Sequence, residues 1–200
     1  MVNKEQQAID IGANKGVYTH LLAKLVTFVH AFEPNPKMFS VLTKCLSKNA
    51  KAYDVALSNE SGSGELLVPM SGRKKAYSNQ GASLNRQKFS GEHGVVHIET
   101  RTLDKIGFIK IDVEGYEHAV LKGAKETLMR CRPTMLIELE ERHTGVAIEK
   151  LVEEVEAYDY QAYFLRNQKL TPFTQFDPVL EHRNPEHRIN YVNNFIFLPK

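Results

Sequence analysis

Short apolar runs and helical stripes alternate along most of the chain, and that alternation leaves few folds open. Ala8-Ile9-Asp10-Ile11 is an apolar run stopped by Gly12, the signal of a buried strand. Residues 17–25 read as a helix with Leu21, Leu22 and Leu25 on one face, and residues 28–32 as a second strand that ends at Glu33. Asn35-Pro36 opens a second helix, the Asn able to cap it and the Pro preset for its first turn. Met38, Phe39, Leu42, Cys45 and Leu46 keep that helix's spacing. Residues 52–57 predict a third strand and 108–113 a fourth. Residues 117–129 predict a helix with Val120, Leu121, Ala124 and Leu128 inward, and 135–139, just after Pro133, a fifth strand. Ile148, Leu151, Val152 and Val155 form the clearest helical stripe, and two aromatic strands, 160–165 and 191–198, close the chain.

Strands alternating with helices imply a parallel sheet covered on both faces. The last two strands are joined by a polar connection, residues 166–190, with no helical pattern, so they pair antiparallel. The expected architecture is therefore α/β: a mostly parallel seven-stranded sheet ending in an antiparallel hairpin, with helices on both faces. At 200 residues, one domain over 1–200 is the expectation. One stretch interrupts the alternation. Residues 58–94 hold six of the twelve glycines, seven serines and five basic residues, and only 65–69 resembles a short extra strand. Such an insertion is either a substrate-facing loop or a solvated one. The echo Glu181-His182-Arg183 and Glu186-His187-Arg188 reads as solvated loop.

The 26 basic residues against 24 acidic ones leave a net charge of +2, too balanced for a dedicated nucleic-acid binder. Cys45 and Cys131 sit in helical patterns without CxxC spacing, so a reducing compartment is expected and no zinc knuckle. No apolar run approaches the ~20 residues of a membrane span, and the first residues carry no signal-peptide core. The expected setting is cytoplasmic, without a membrane partner.

Asp10-Ile11-Gly12-Ala13-Asn14-Lys15-Gly16 lies at the first strand-to-helix turn. Gly12 permits a sharp bend and close approach, Gly16 removes a side chain at the helix start, and the helix amides point into the crevice. Glu33, seventeen residues after Gly16, can accept from both hydroxyls of a ribose. A dinucleotide fingerprint needs GxGxxG, whereas here Asn14 and Val17 stand where the second and third glycines belong. GxxxxGK[ST], HExxH and GxSxG are absent. A nucleoside cofactor without phosphate fits better, and S-adenosylmethionine is the common one.

Ile9-Asp10-Ile11-Gly12-Ala13-Asn14-Lys15-Gly16, Ala31-Phe32-Glu33-Pro34-Asn35-Pro36, Val55-Ala56-Leu57-Ser58 and Thr102-Leu103-Asp104 occur in that order. Phe108-Ile109-Lys110-Ile111-Asp112-Val113-Glu114-Gly115-Tyr116-Glu117 and Val120-Leu121-Lys122-Gly123-Ala124 follow. The series resembles the FkbM family of S-adenosylmethionine-dependent methyltransferases, from residue 8 to about residue 198. The resemblance implies the Rossmann-like class I methyltransferase fold, whose sheet ends in such a hairpin. It implies O-methylation of a sugar, glycan or secondary metabolite, with a small-molecule or glycan acceptor as partner and no nucleic acid.

The resemblance also implies roles. Gly12, Asn14 and Gly16 would wrap the methionine end of the cofactor with Asp10 near its amino group, Glu33 would hold the ribose, and Asp54 would meet the adenine amine or stand solvated at a strand end. The reaction centre is expected beyond the carboxyl ends of strands four and five. An alcohol nucleophile must lose its proton, so a base is expected there: Asp112 first, then Glu138 or His143. Asp112 and Glu114 have capping of the next helix as their alternative. Lys110 shares a strand face with Asp112 and either pairs with Asp112 or Glu138 or enters the chemistry. His118 and Glu114 are spaced for one helix face, but two ligands do not define a metal site, and no metal is expected. A nicotinamide-dependent oxidoreductase and a catalytically silent binding module of the same fold stay open as alternatives.

Overall fold

The computed structural model describes residues 4–59, 70–71, 76–77, 105–183 and 191–200. Its strands are β1 (Gln7–Ile11), β2 (Phe28–Phe32), β3 (Ala50–Tyr53), β4 (Met70–Ser71), β5 (Ala76–Tyr77), β6 (Ile106–Ile111), β7 (Thr134–Glu138), β8 (Tyr160–Arg166), β9 (Lys169–Pro172) and β10 (Asn194–Pro199). The helices are α1 (Val17–Leu22), α2 (Pro36–Lys44), α3 (Glu117–Gly123), α4 (Lys125–Cys131), α5 (Glu141–Thr144), α6 (Ile148–Glu156) and α7 (Pro178–Glu181). Eight strands form one sheet in the order β3-β2-β1-β6-β7-β10-β8-β9, while β4 and β5 pair with each other in a separate two-stranded ladder.

β1, β2, β3, β6 and β7 run parallel, and β10 lies antiparallel between β7 and β8. The chain starts in the middle of the sheet, builds outward to β3, then crosses back to place β6 on the other side of β1. That reversal opens a crevice at the carboxyl ends of β1 and β6, the place where open α/β sheets bind ligands.

Successive residues of a strand face opposite sides, and both sides are packed. Ile9 and Ile11 join Ile109, Ile111, Val120, Leu121, Leu128 and Val152 in the larger core. Ala8 and Val29 pack with Leu22 from α1, and Ala31 with Leu42 from α2. The helix starting at Pro36 is capped as the sequence predicts, with Asn35 Oδ1 accepting from the Lys37 N–H at 3.1 Å. Ile148, Leu151, Val152 and Val155 are all buried, as their stripe requires.

Several boundaries differ from the sequence reading. The sheet has eight strands rather than seven, because 166–190 contains β9. Asn167 and Gln168, at φ 50° and 63°, make the two-residue turn between β8 and β9. Two positive φ values are what a type I′ hairpin needs, and Asn-Gln lacks the glycine that normally announces one. A 3-10 turn, Phe173–Gln175, and the one-turn α7 complete that connection. β3 stops at Tyr53 because its partner β2 runs out there, the last pair being Phe32 with Tyr53. The long helix expected over 117–129 is broken at Ala124 into α3 and α4. α1 ends at Leu22, so Leu25 lies beyond it, and both Leu21 and Leu25 are exposed. Cys45 caps α2 in an exposed position, and neither cysteine forms a disulfide. Most of 58–94, including the extra strand at 65–69, lies outside the described residues. No described helix is long and apolar enough to cross a membrane.

β10 is held by an aromatic cluster. Phe195 meets Phe173 and Phe176 edge-on at 5.7 and 5.4 Å between ring centroids, and Phe176 meets Phe164 at 5.1 Å. Phe195 is fully buried, so Phe195→Ala is expected to cost about 3–5 kcal/mol of unfolding free energy through lost transfer energy and a residual cavity. Denaturant titration checks this; a loss under about 1 kcal/mol would mean β10 is not part of the cooperative core.

Candidate active site

The turn after β1 is built from backbone. Gly12, Asn14 and Gly16 have φ of 76°, 50° and 87°, and the Gly12 and Ala13 N–H groups both donate to the Phe32 carbonyl at 3.0 Å. Gly12 has no room for a side chain: a Cβ there would lie 1.8 Å from the Asp112 carbonyl oxygen. At Gly16 a Cβ would meet Leu42 Cδ1 at 2.6 Å. These glycines close the β1–α1 loop against the β6–α3 loop and α2.

Glu33 follows β2 and is buried. Its two oxygens accept the Asn14 and Asn35 N–H groups, each at 2.7 Å. Burial pushes its pKa up and these two bonds pull it down, while Asp10 and Asp112 add a further upward push. Each carboxylate oxygen keeps a second lone pair. Glu33 therefore organises the turn as well as offering acceptors to a ligand, a double duty that the sequence reading did not separate. Asp54 stands exposed just past β3 at the same end of the sheet.

Register brings the polar groups together. Asp10 pairs with Lys110, and Lys110 with Leu136, in adjacent parallel strands. Side chains in register share a face, so two residues further on Gly12, Asp112 and Glu138 share that face at the carboxyl ends. Asp10 is buried, accepts Thr19 Oγ1 at 2.5 Å, and lies in the field of Lys110 and Asp112. Burial raises its pKa. Lys110 is also buried; its Nζ lies 3.0 Å from Asp112 Oδ2 and 4.9 Å from the centroid of the Tyr18 ring. Asp112 and Glu138 are neighbours on that face, close enough for the charge of one to act on the other. Burial raises Glu138 to about 7, with the charges of Asp112 and Glu114 adding to the rise and Lys110 opposing it.

Glu114 and His143 form the second pair, with His143 Nε2 2.9 Å from Glu114 Oε2. The loop carrying Asp112 and Glu114 is tied down by Glu117, which is buried and accepts from the Val113 and Gly115 N–H groups at 3.2 and 3.1 Å. The start of α3 carries no side-chain cap, so neither Asp112 nor Glu114 caps it. Gly115, at φ 98°, packs against His143, whose Cβ would be 3.0 Å from an added Cβ.

The sequence reading missed the groups that come from the far end of the chain. Asn193 Nδ2 donates to Glu138 Oε1 at 2.9 Å and to Glu140 Oε1 at 3.2 Å. The Tyr191 hydroxyl donates to Glu140 Oε2, and Arg142 Nη2 to Glu140 Oε1 at 2.9 Å. His182 stacks on Tyr191 at 5.3 Å and donates Nδ1–H to the Val192 carbonyl at 2.8 Å. The first Glu-His-Arg copy is therefore no solvated loop. His182 is buried, Glu181 binds Arg166, and Arg183 binds Glu141 and Glu149. The second copy lies outside the described residues. Only the antiparallel return of β10 beside β7 brings residues 191–193 here, and no local motif announces that. His118 pairs instead with Glu154 at 2.9 Å on the surface, away from Glu114. Among the described residues no group of three or more His, Cys, Asp or Glu side chains is placed to hold a metal.

The Glu114 hydrogen bond raises the His143 pKa above its ordinary 6.5, against burial, which lowers it. A raised histidine pKa in the fold adds stability that is full below 6.5 and fades as pH climbs through the raised value. Ring-proton NMR should place the His143 midpoint above 6.5, and Glu114→Gln should lower it. An unchanged midpoint in Glu114→Gln would remove the pair from the site's electrostatics.

A family model described as "Methyltransferase FkbM domain" matches residues 10–162. A methyltransferase FkbM from Methylobacillus flagellatus has a similar structure, with TM-score 0.61 and 14% identity over 98% of this chain. The match takes up only 44% of that protein, so the chain spans less than half its length. A putative methyltransferase from Streptococcus mutans, solved in complex with SAH, aligns with TM-score 0.54 and 13% identity, over 98% of this chain and 89% of its own. An rRNA methylase from Streptococcus thermophilus aligns with TM-score 0.51 and 16% identity, over 100% of this chain and 89% of its own. No curated protein matches the sequence. Identities this low carry the fold, class I methyltransferase, and nothing finer. The family model supplies the rest: spanning well over half of the sequence, it shows that the chain belongs to the FkbM methyltransferase family.

Proposed function

We propose that the protein is an S-adenosylmethionine-dependent O-methyltransferase acting on a hydroxyl of a sugar, glycan or secondary metabolite. The observation that carries this reading is the carboxyl pair Asp112–Glu138, placed on the same sheet face and at the same strand ends as the Gly12–Gly16 turn. The residues present fit the cofactor. Glu33 has one lone pair per oxygen left for two ribose hydroxyls, its backbone bonds fixing both oxygens in place. The left-handed turn at Gly12, Asn14 and Gly16 bends the backbone sharply at the mouth of the crevice. Asp54 stands beyond the adjacent strand as the acceptor for the adenine amine. A cytoplasmic setting agrees with Cys45 and Cys131 both standing outside any disulfide.

When bound, S-adenosylmethionine supplies an electrophilic methyl group on a sulfonium. The protein's task is alignment and proton removal. Asp112, tethered by Lys110, and Glu138, tethered by Asn193, present fixed acceptors to an incoming hydroxyl. Their proximity lets the pair take up and share the one proton that the acceptor hydroxyl gives up, without a large rearrangement. Glu114 and His143 border the same opening and orient the acceptor.

S-adenosylhomocysteine is expected to bind by calorimetry and NAD not to. Glu33→Gln should weaken the former by about 1.5–3 kcal/mol, the scale of hydrogen bonds to a charged group. The variant also turns an amide NH2 toward a backbone N–H. With methyl-labelled donor and a set of methyl glycosides, label is expected in an alkali-stable ether. NAD binding without S-adenosylhomocysteine binding would overturn the cofactor, and label in an alkali-labile ester or an amine would overturn the hydroxyl acceptor.

A further inference from the structure

Among the described residues, carboxylates outnumber cations in the crevice. Glu138 faces Lys110 from β6 and Asp112 and Glu114 from the loop after β6. From the segment before β10 it faces Asn193, which donates to its Oε1, and Tyr191. Past β7 the neighbours are Glu140 and the Arg142 that pairs with it. Deeper in, Asp10 lies in the field of Asp112, and Glu33 in the field of both. Lys110 is committed to Asp112 at 3.0 Å, Arg142 to Glu140, and His143 to Glu114. Among the described residues, Asp10, Asp112 and Glu138 thus share Lys110, and Glu33 adds a fourth carboxylate in the field of Asp10 and Asp112.

Crowded carboxylates relieve their repulsion by keeping a proton, and a cation among them does the same work. The turn that would carry the methionine end of the donor touches the Asp112 backbone directly, through Gly12. A positive charge seated there lies next to Asp112, the carboxylate whose charge acts on Glu138.

Taking the crevice as the S-adenosylmethionine site, we propose that Glu138 releases a proton to solvent when the positively charged donor binds, and keeps it when S-adenosylhomocysteine, with its neutral sulfur, binds. The O–H bond of the Glu138 carboxyl breaks, its electron pair stays on the carboxylate, and the cation replaces the proton in offsetting Asp112. Glu138 is thereby ionised only when a methyl group is present to be transferred. It then takes the acceptor's hydroxyl proton as the positive charge disappears, so the crevice carries the same total charge before and after the reaction. The elevated pKa of about 7 supplies the proton to be released at neutral pH.

Calorimetry of S-adenosylmethionine and S-adenosylhomocysteine in phosphate and in imidazole buffer counts the protons exchanged. At pH 7 the wild-type protein should release about half a proton more with S-adenosylmethionine, and almost none more at pH 8.5, since a group titrating near 7 is then already ionised. Glu138→Gln should bind both ligands and abolish the difference. Asn193→Ala, which removes a donor to the ionised carboxyl, should move the release profile to higher pH. A wild-type readout covers the case that Glu138→Gln fails to fold. In protein labelled at the glutamate side-chain carboxyl carbon, one resonance should titrate near pH 7 and cease to do so under saturating S-adenosylmethionine alone. Equal proton release with both ligands, or a difference that survives in Glu138→Gln, would overturn the proposal. Absence of binding by either ligand would instead overturn the cofactor reading on which it rests.

Discussion

Gly12 and Asp112 meet backbone to backbone, and the site depends on that contact. A Cβ at Gly12 would sit 1.8 Å from the Asp112 carbonyl oxygen, so no other residue fits without moving one loop off the other. From the other side the Asp112 N–H donates to the Ile11 carbonyl at 3.0 Å. The loops after β1 and β6 are thereby locked together at the point where the strand order reverses. The first carries the Gly12–Gly16 turn, and the second carries Asp112. Gly12 thus serves the fold as directly as it serves any ligand, because the close approach it permits is to another part of the same chain.

Loops bent this sharply expose backbone N–H groups that no ladder or helix satisfies. Two buried glutamates meet them in the same way. Glu33 takes the N–H groups of Asn14 and Asn35, and Glu117 those of Val113 and Gly115. Burial penalises both carboxylates, and the bonds they accept offset that cost. An unsatisfied buried N–H costs about 1–3 kcal/mol, so neither glutamate can be exchanged for an apolar residue without loosening its loop. The rigidity of the crevice is electrostatic in origin, while the sheet beneath it is held by apolar burial.

Much of this was legible in the residue pattern. Strand-helix alternation is a local signal, and it located all seven of the expected strands and the helices after β2 and β7. Asp10, Gly12, Gly16 and Glu33 lie within one strand-turn-helix-strand unit, so their convergence follows from chain connectivity. Asn193, Tyr191 and His182 could not be found that way. Asn193 and Tyr191 reach Glu138 and Glu140, with His182 stacked on Tyr191, because β10 inserts between β7 and β8, a long-range pairing with no local mark. β9 escaped because its turn, Asn167-Gln168, lacks glycine. The break at Ala124 escaped because helical periodicity continues through it. Lys110 was placed on the correct strand face, and its partner proved to be Asp112. The basic, glycine-rich stretch between residues 58 and 94 falls mostly outside the described residues.

The central claim is that the nucleoside cofactor occupies the crevice formed by the turn after β1, the end of β2 and the loop after β6. Hydrogen–deuterium exchange with and without saturating S-adenosylhomocysteine reads this by location. The account predicts slowed exchange in peptides covering Gly12 to Gly16, Glu33 to Asn35 and Asp112 to Gly115, with little change in β8 and β9 on the far side of the sheet. Protection confined to β8, β9 and the segment following them, with the Gly12 turn unaffected, would contradict it.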